Sequence, residues 1–277
     1  MKKLISILLL WAILSATNIA APLYYGALEN NIGARATAFN QAYTALADSP
    51  EALHWNPAGL ASQSNTEIAA MYATLFDEVQ TRWVSVSTPL AGGIVSLGYH
   101  GMMVPNNITT DSLGNAIGNF NFIDDAIILG YAHMLDQWQV GVSVKCVRQE
   151  ALEQNLGTNM DIGVIYNAEP FSVGLVAADI LNTPLGPDSF AHKIRLGIAY
   201  RADNLLLTGD MHYTINRNTI TMLGAEYRFC DEFSILGGFG QTYSLGARLK
   251  VLGFAIDYAF TPHDLGCIHY FQVGIRL

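Results

Sequence analysis

Residues 33–60, GARATAFNQAYTALADSPEALHWNPAGL, decide how the rest of the chain is organised. Phe39, Tyr43 and Leu46 follow one another at intervals of four and three residues, which predicts one apolar face on a helix. The helix is expected to end at Asp48, because a proline follows two residues later and disfavours the α conformation before it. No other long helical pattern occurs after the N-terminal region, since the later residues read as strands and turns.

The end of this stretch carries a resemblance to a known family. Asn56, Pro57 and Gly59 predict a compact turn, because asparagine and glycine tolerate positive φ and proline has a fixed φ. Together with the Gly-Ala-Arg start and the Ala-Leu-Ala-Asp run, this turn resembles the N-terminal segment of the FadL superfamily of outer-membrane barrels, most closely its PorV/PorQ-type branch. In those families the segment is a plug. The resemblance implies an all-β fold: a transmembrane antiparallel barrel of about 14 strands with an N-terminal helical plug inside the lumen.

The N-terminus has the pattern of a secretory signal peptide. Residues 1–21 combine a basic start, a short apolar run and a zone of small residues. The apolar run is too short for a transmembrane helix. We therefore predict three segments: a signal peptide at residues 1–21, the plug at 22–65 and the barrel at 66–277.

Composition places the exported chain among membrane proteins that lack membrane helices. Hydrophobic residues make up 51% of the sequence and charged residues only 13%, yet no later apolar run approaches the roughly 20 residues of a membrane helix. That combination is typical of an outer-membrane barrel and argues against a soluble β domain capped by a helix. The net charge of −9 argues against nucleic acid as a partner. The three cysteines and seven histidines are scattered, so we predict no disulfide, metal site or cofactor.

Apolar residues alternate with polar or small ones from about residue 66 onward. Leu196 and Ile198, for example, alternate with Arg195, Gly197 and Ala199. In a bilayer the apolar face contacts lipid and the other face lines the lumen. About fourteen strands are predicted, at residues 66–73, 81–89, 92–103, 123–135, 137–149, 158–167, 170–181, 191–202, 204–214, 219–230, 232–239, 242–251, 253–262 and 267–277.

The predicted connections differ in length at the two ends of the barrel. Those after even-numbered strands are tight, whereas most of the others are longer, the longest at residues 104–122. Short periplasmic turns and longer extracellular loops are usual, so both termini are predicted on the periplasmic side of the outer membrane of a Gram-negative-type bacterium. Aromatic residues near both strand ends predict two girdles at the lipid headgroups. The last strand alternates to Leu277, like the signals that barrel-assembly machinery reads, although many of those end in Phe.

Polar residues at lumen positions form no catalytic constellation. A Ser-His-Asp triad or a carboxylate pair needs a defined local arrangement that no motif supplies, so we predict that the protein is not an enzyme. Arg35, the one cation of residues 33–60, is expected to pair with a lumen carboxylate. The principal charges predicted to face the lumen, and to pair with each other and with the plug, are Lys145, Asp161, Arg195, Asp210, Glu226, Arg248 and Asp257.

Two functions remain open from the sequence. The FadL resemblance implies a plugged channel for small hydrophobic molecules, whereas PorV-type relatives imply an accessory of type IX protein secretion that binds secretion-system proteins. The modest predicted loops leave little surface for large cargo, which favours the channel. A plug that gates the path and a plug that only fills the lumen are both compatible with the pattern. The residues predicted to form the plug or line a ligand path are Arg35, Phe39, Tyr43, Leu46, Trp55, Asn56 and Pro57.

Overall fold

The computed structural model describes residues 26–29, 31–76, 78–181, 183–185, 188–215 and 217–277. The predicted signal peptide at residues 1–21 lies outside these residues, as do residues 22–25 of the predicted plug. None of the helices in the described part of the chain is long and apolar enough to cross a membrane.

Fourteen strands close into one antiparallel barrel in which consecutive barrel strands pair with each other. The first strand pairs with the last, with Glu67 opposite Arg276, so the sheet has no free edge along the barrel. Closure satisfies backbone hydrogen bonds that a bilayer would leave unpaired. The predicted all-β, 14-stranded fold is confirmed. The strands are β1 Glu67–Leu75, β2 Val79–Leu90, β3 Gly93–Thr110, β4 Ala116–Leu135, β5 Trp138–Glu150, β6 Gln154–Ala168, β7 Phe171–Ala178, β8 Lys193–Arg201, β9 Leu205–Thr214, β10 Ile220–Arg228, β11 Phe233–Phe239, β12 Tyr243–Val251, β13 Phe254–His263 and β14 Gly266–Arg276.

The longest predicted loop, residues 104–122, is mostly strand. β3 and β4 continue through it as a hairpin that extends beyond its neighbours. Pro105 and Asn106 are typical loop residues, but they lie where the register shifts between Val104 and Asn107. A proline is tolerated at such an irregularity, because the backbone there has no regular ladder partner.

The two ends of the barrel differ, and we name them by their connections. The turn end carries the tight connections at residues 91–92, 136–137, 169–170, 202–204, 229–232 and 252–253. The opposite end is the loop end. There the predicted loop at residues 149–157 shrinks to 151–153, because β5 and β6 both extend. The connection between β7 and β8 is the longest and contains a small ribbon of Pro184–Leu185 paired with Asp188–Ser189.

Alternate strand residues face opposite sides of the wall. In β8, Leu196 and Ile198 are exposed on the outer surface, whereas Arg195 and Ala199 are buried in the lumen. Outward-facing aromatic rings meet near both ends, as the two predicted girdles require. These contacts are Trp138–Tyr166, Phe171–Tyr200 and Tyr227–Phe229 at the turn end, and Phe260–His269 toward the loop end.

The described residues between 26 and 63 occupy the lumen and contain only short helices. Among residues 33–48 the predicted long helix is wrong: Asn40 and Gln41 adopt φ values of 54° and 70°, a left-handed conformation that ends a helix. Contacts with the wall outweigh helix propensity, since Asn40 Nδ2 donates to the backbone oxygen of Thr242 at 2.7 Å. The helices are a 3-10 helix at Ala27–Glu29, α1 at Ala34–Ala38, α2 at Ala52–Trp55 and a second 3-10 helix at Pro57–Ser62.

Candidate functional site

The plug touches the barrel wall along a belt of lumen-facing glycines. A Cβ atom at Gly163 would lie 2.0 Å from Asn56 Oδ1, and one at Gly238 would lie 2.3 Å from the carbonyl carbon of Phe39. Neither distance is possible without moving the plug, so glycine is required where the plug approaches this closely. The glycine belt consists of Gly98, Gly130, Gly141, Gly163, Gly174, Gly197, Gly224, Gly238 and Gly246.

Phe39, Tyr43 and Leu46 are buried, and Phe39 packs against the wall at Gly224. Each is at most 1% exposed, so none of them faces an open channel. The rings of Phe39 and Tyr43 stack with their centroids 6.3 Å apart, although no continuous helix joins them. Burial and the nearby Asp48 raise the pKa of Tyr43, and its protonated hydroxyl donates to Asp48 Oδ1 at 2.9 Å.

Asn56 and Pro57 hold the turn that ends the plug. Asn56 is fully buried, and its Nδ2 donates to the backbone oxygen of Thr44 at 2.8 Å. Its Oδ1 caps the 3-10 helix that begins at Pro57, a position where proline is favoured because the missing N–H has no helical partner. Trp55 Nε1 donates to the backbone oxygen of Ile32 at 2.7 Å, which ties the end of the plug to its beginning.

Arg195 and Asp210 satisfy backbone groups of the irregular plug. Arg195 Nη1 donates to the carbonyl oxygens of His54 and Trp55, each at 3.0 Å. Asp210 Oδ2 accepts two backbone N–H groups, the closer from Thr44 at 2.8 Å. A turning chain lacks helical partners for these groups, so wall side chains supply them. Burial and the Arg195 charge lower the pKa of His54 well below its usual range, so its imidazole is neutral.

A charged cluster joins the plug to the wall toward the loop end. Lys145 Nζ lies 2.7 Å from Asp161 Oδ1 and 2.7 Å from Asp179 Oδ1. Lys193 Nζ lies 3.0 Å from Asp179 Oδ2 and also pairs with Glu29 of the plug. The first described plug residues are therefore held toward the loop end. The predicted periplasmic location of the N-terminus concerns residues outside the described part.

Apolar side chains cluster beside these charges at the loop end. Val147 is 3% exposed and lies opposite Gly157 in the register of β5 and β6. A Cβ atom at Gly157 would lie 3.0 Å from Phe190 Cε2 and 3.3 Å from Leu185 Cδ1, so both side chains cover that part of the wall. Val147 and Leu185 belong to the buried hydrophobic core of the barrel, and Phe190 packs against that core. We call Val147, Leu185 and Phe190 the loop-end cluster.

A cavity of about 780 Å³ lies beneath the plug at the turn end, and its lining is charged. Arg35 Nη1 lies 2.5 Å from Asp48 Oδ1, and Arg35 Nη2 lies 2.9 Å from Glu226 Oε2. Arg248 Nε lies 2.9 Å from Asp257 Oδ1. The lumen carboxylate that pairs with Arg35 is thus Glu226 of the wall, and the plug itself adds Asp48.

Asp48 and Glu51 both line this cavity, but their pKa values shift in opposite directions. Burial raises the pKa of Glu51, which accepts a hydrogen bond from Gln272 Nε2 at 2.6 Å. Burial opposes ionisation of Asp48 too, but the positive charges of Arg35 and Arg248 outweigh it and hold the pKa of Asp48 below its usual value. At this cavity the plug therefore carries a stabilised carboxylate at Asp48 and a carboxyl group that resists ionisation at Glu51.

Sequence reasoning missed Glu29, Asp48 and Asp179, which complete the ion pairs. These residues lie in irregular segments, where no alternation indicates the direction of a side chain. The glycine belt had a readable signal, because its members occupy lumen-facing positions on β3–β8 and on β10–β12. Gly141 and Gly163, for example, are direct register partners. A lumen row without side chains indicates that another part of the chain fills the space.

Three solved structures of other proteins share this fold. The toluene transporter TbuX of Ralstonia pickettii superposes with a TM-score of 0.68 at 13% identity, covering 89% of this chain and 98% of that chain. The toluene transporter TodX of Pseudomonas putida gives 0.65 at 10% identity, with 88% and 96% covered. A FadL homologue of Pseudomonas aeruginosa gives 0.60 at 10% identity, with 90% and 99% covered. No protein-family model matches the chain, and no curated protein matches it by sequence.

Proposed function

We propose that the protein is an outer-membrane channel for small hydrophobic molecules, closed by its own N-terminal segment. The loop-end cluster carries this proposal, because it places apolar side chains at the loop end of a closed barrel. Ligand sites are typically apolar with a few placed polar groups, and Lys145 faces the lumen beside Val147 along β5. The shared fold with two toluene transporters supports the same class of solute.

The contrast between the two ends of the lumen supports a direction of entry. An apolar solute gains from contact with the loop-end cluster, whereas entry into the charged cavity would strip water from Arg35, Asp48 and Glu226. The loop end is therefore the proposed point of entry and the proposed outer face. The turn end, where β14 ends at Arg276, is the proposed periplasmic face.

Uptake of radiolabelled toluene by cells whose outer membrane contains the barrel tests the proposal. Uptake is expected to exceed that of matched cells without the barrel. Val147→Asn should reduce it, because the amide places unpaired polar atoms in the loop-end cluster. Leu113→Asn is the matched control, since Leu113 lies at the tip of the β3–β4 hairpin and is 85% exposed. Equal uptake with and without the barrel would rule the channel out.

Planar-bilayer conductance tests whether the plug is a gate. Tyr43, Leu46 and the rest of the plug fill the lumen, so the full chain should conduct little, and deletion of residues 33–61 should open a pore. Folding of the deletion variant is checked by heat-modifiable gel migration. A folded deletion variant that conducts no better than the full chain would leave the plug with a purely structural role.

An accessory role in type IX protein secretion stays a prediction. None of the three solved structures described above is a PorV- or PorQ-type protein. Recognition of the C-terminal strand by barrel-assembly machinery is likewise a prediction from the sequence.

A further inference from the structure

The outer surface of the barrel strands is almost free of charge. Most outward-facing strand residues are apolar or uncharged, as Ile127 and Leu129 of β4 are. The outward-facing exceptions among the described strand residues are Arg82, Asp125, Arg148 and Glu150. All of them lie on β2, β4 and β5, toward the loop end.

These residues form one patch because the strands bring them into register. Arg82 of β2 pairs with Gly101 of β3, Gly101 pairs with Asp125 of β4, and Asp125 pairs with Arg148 of β5. One row of backbone partners therefore carries a cation at each end and a carboxylate between them. Gly101 has no side chain, and the Tyr99 hydroxyl occupies the space above it. A Cβ atom at Gly101 would lie 2.6 Å from that hydroxyl. We call this row the headgroup patch.

The side chains of the headgroup patch differ in how far they are neutralised. Arg148 Nη2 lies 2.5 Å from Asp125 Oδ2, and the Tyr99 hydroxyl donates to Asp125 Oδ1 at 2.8 Å, so this carboxylate is fully engaged. Arg148 remains 43% exposed, and Glu150 lies farther from it, at 3.9 Å. Arg82 is exposed and pairs with no carboxylate in the described part of the chain. The patch therefore presents one guanidinium that no described carboxylate pairs with, that of Arg82, and one that Asp125 positions, that of Arg148.

The height of the patch places it where lipid headgroups begin. From Leu135, at the turn end of β4, ten residues lead up to Asp125. At about 3.3 Å per residue and a tilt of about 40°, that distance is about 25 Å along the membrane normal. This equals the usual height of the apolar band of an outer-membrane barrel. A charged row at this level faces headgroups rather than acyl chains.

We propose that the headgroup patch binds the phosphate of a lipid in the leaflet at the loop end. Arginine recognises phosphate through paired N–H donors, and Arg82 has those donors unoccupied by any described carboxylate. Asp125 acts as a spacer that holds Arg148 in place beside it. The inference does not depend on what the channel carries, because the patch lies outside the lumen. Free phosphate has the same anion chemistry, so the test must separate the two sources.

Native mass spectrometry of the detergent-solubilised full chain measures the binding. Diphosphorylated lipid A and fully dephosphorylated lipid A are titrated in parallel. The phosphorylated lipid is expected to bind about tenfold more tightly, the scale of one charge-assisted hydrogen bond. Arg82→Gln with Arg148→Gln should abolish this preference. Arg82→Lys with Arg148→Lys should retain part of it, because the charges remain.

The matched control is Arg228→Gln, which removes a cation at the turn end and should leave the preference unchanged. Heat-modifiable migration shows that each variant is folded before its binding is compared. Equal binding of the two lipids, or an undiminished preference in the double glutamine variant, would overturn the proposal. So would complete displacement of the lipid by excess inorganic phosphate, which would make the patch a site for the free anion.

Discussion

The plug meets the wall in two different ways, by shape at the glycine belt and by charge at the turn-end cavity. At the belt the backbone of the plug approaches glycines so closely that a single Cβ atom would collide with it, as at Gly163. At the cavity, the Arg35 guanidinium pairs with Glu226 at 2.9 Å and with Asp48 at 2.5 Å, and the Asp48 side chain remains 35% exposed. Contacts of the first kind do not respond to salt or pH, whereas contacts of the second kind do. The belt therefore fixes the plug, and the cavity is where its attachment can be adjusted.

The largest effect is expected from filling the belt. Gly163→Val would place side-chain atoms on Asn56 Oδ1 and should lower the free energy of unfolding by about 3 kcal/mol, the upper range for overpacking. A urea titration of the heat-modifiable fraction measures it. Gly118→Val is the control, because a Cβ atom there meets nothing within 4 Å. Equal midpoints for the two variants would mean that the belt does not clamp the plug.

A smaller loss of stability is expected when the belt glycines are kept but Asn56 of the plug loses its side-chain amide. Asn56→Ala leaves the backbone oxygen of Thr44 without its donor in a buried site, which should cost about 2 kcal/mol in the same titration. Asn65→Ala removes an exposed amide of the same type and should change little. The comparison fails if Asn65→Ala is as damaging as Asn56→Ala.

The cavity side should respond more weakly and in a salt-dependent way. Arg35→Gln removes the ion pairs with Asp48 and Glu226, but the glutamine amide can still donate a hydrogen bond to a carboxylate, so the expected loss is about 1 kcal/mol at low salt. High salt should reduce the difference in stability between the variant and the parent protein, because salt screens the ion pairs that only the parent protein has. Arg228→Gln, which loses only a bond to the backbone oxygen of Asp203, is the control. A salt-independent loss would contradict the division between shape and charge.

The smallest effect is a pH dependence of the plug itself. The pKa of Asp48 is lower in the folded chain than in the unfolded chain, so its stabilising pair is present at neutral pH and is lost as the pH falls through that lowered value. Glu51, whose pKa is raised, acts in the opposite sense and favours the folded chain at low pH. Limited proteolysis of the plug between neutral and acidic pH should show increasing cleavage. Asp48→Asn should flatten that rise, and an unchanged profile would exclude Asp48 as its source.

The barrel could be predicted because the sequence of each strand indicates which of its side chains share a face. The alternation of Leu196 and Ile198 with Arg195 and Ala199 needs no knowledge of the partner strand, since the pleat alone sends successive side chains to opposite faces. The extension of β3 and β4 was missed because Pro105 normally indicates a loop, whereas here a bulge accommodates it within the strand. Local preference here loses to pairing with the neighbouring strand.

The plug could be predicted as a segment but not as a structure. Its sequence favours a helix, yet the turn at Asn40 is set by wall atoms, such as the Thr242 oxygen, that lie far along the chain. The pairing of Arg35 with Glu226 joins residues 191 positions apart, and no local pattern encodes such a choice. The site is formed by contacts between distant segments. The sequence therefore predicted which residues take part, but not which of them pair with each other.

The close fit of the plug also bears on how the barrel is built. Closure joins β1 to β14, and the ion pair between Glu67 and Arg276 links residues 209 positions apart, which makes it one of the most entropically costly contacts to form. The plug precedes β1 in the chain and touches wall strands on several sides, from Gly98 to Gly246. A chain that assembles its strands around this segment shortens the effective loop that remains to be closed. A plug that makes these contacts before closure would act as an internal template for the wall, and the belt glycines are the positions where the wall strands would meet it.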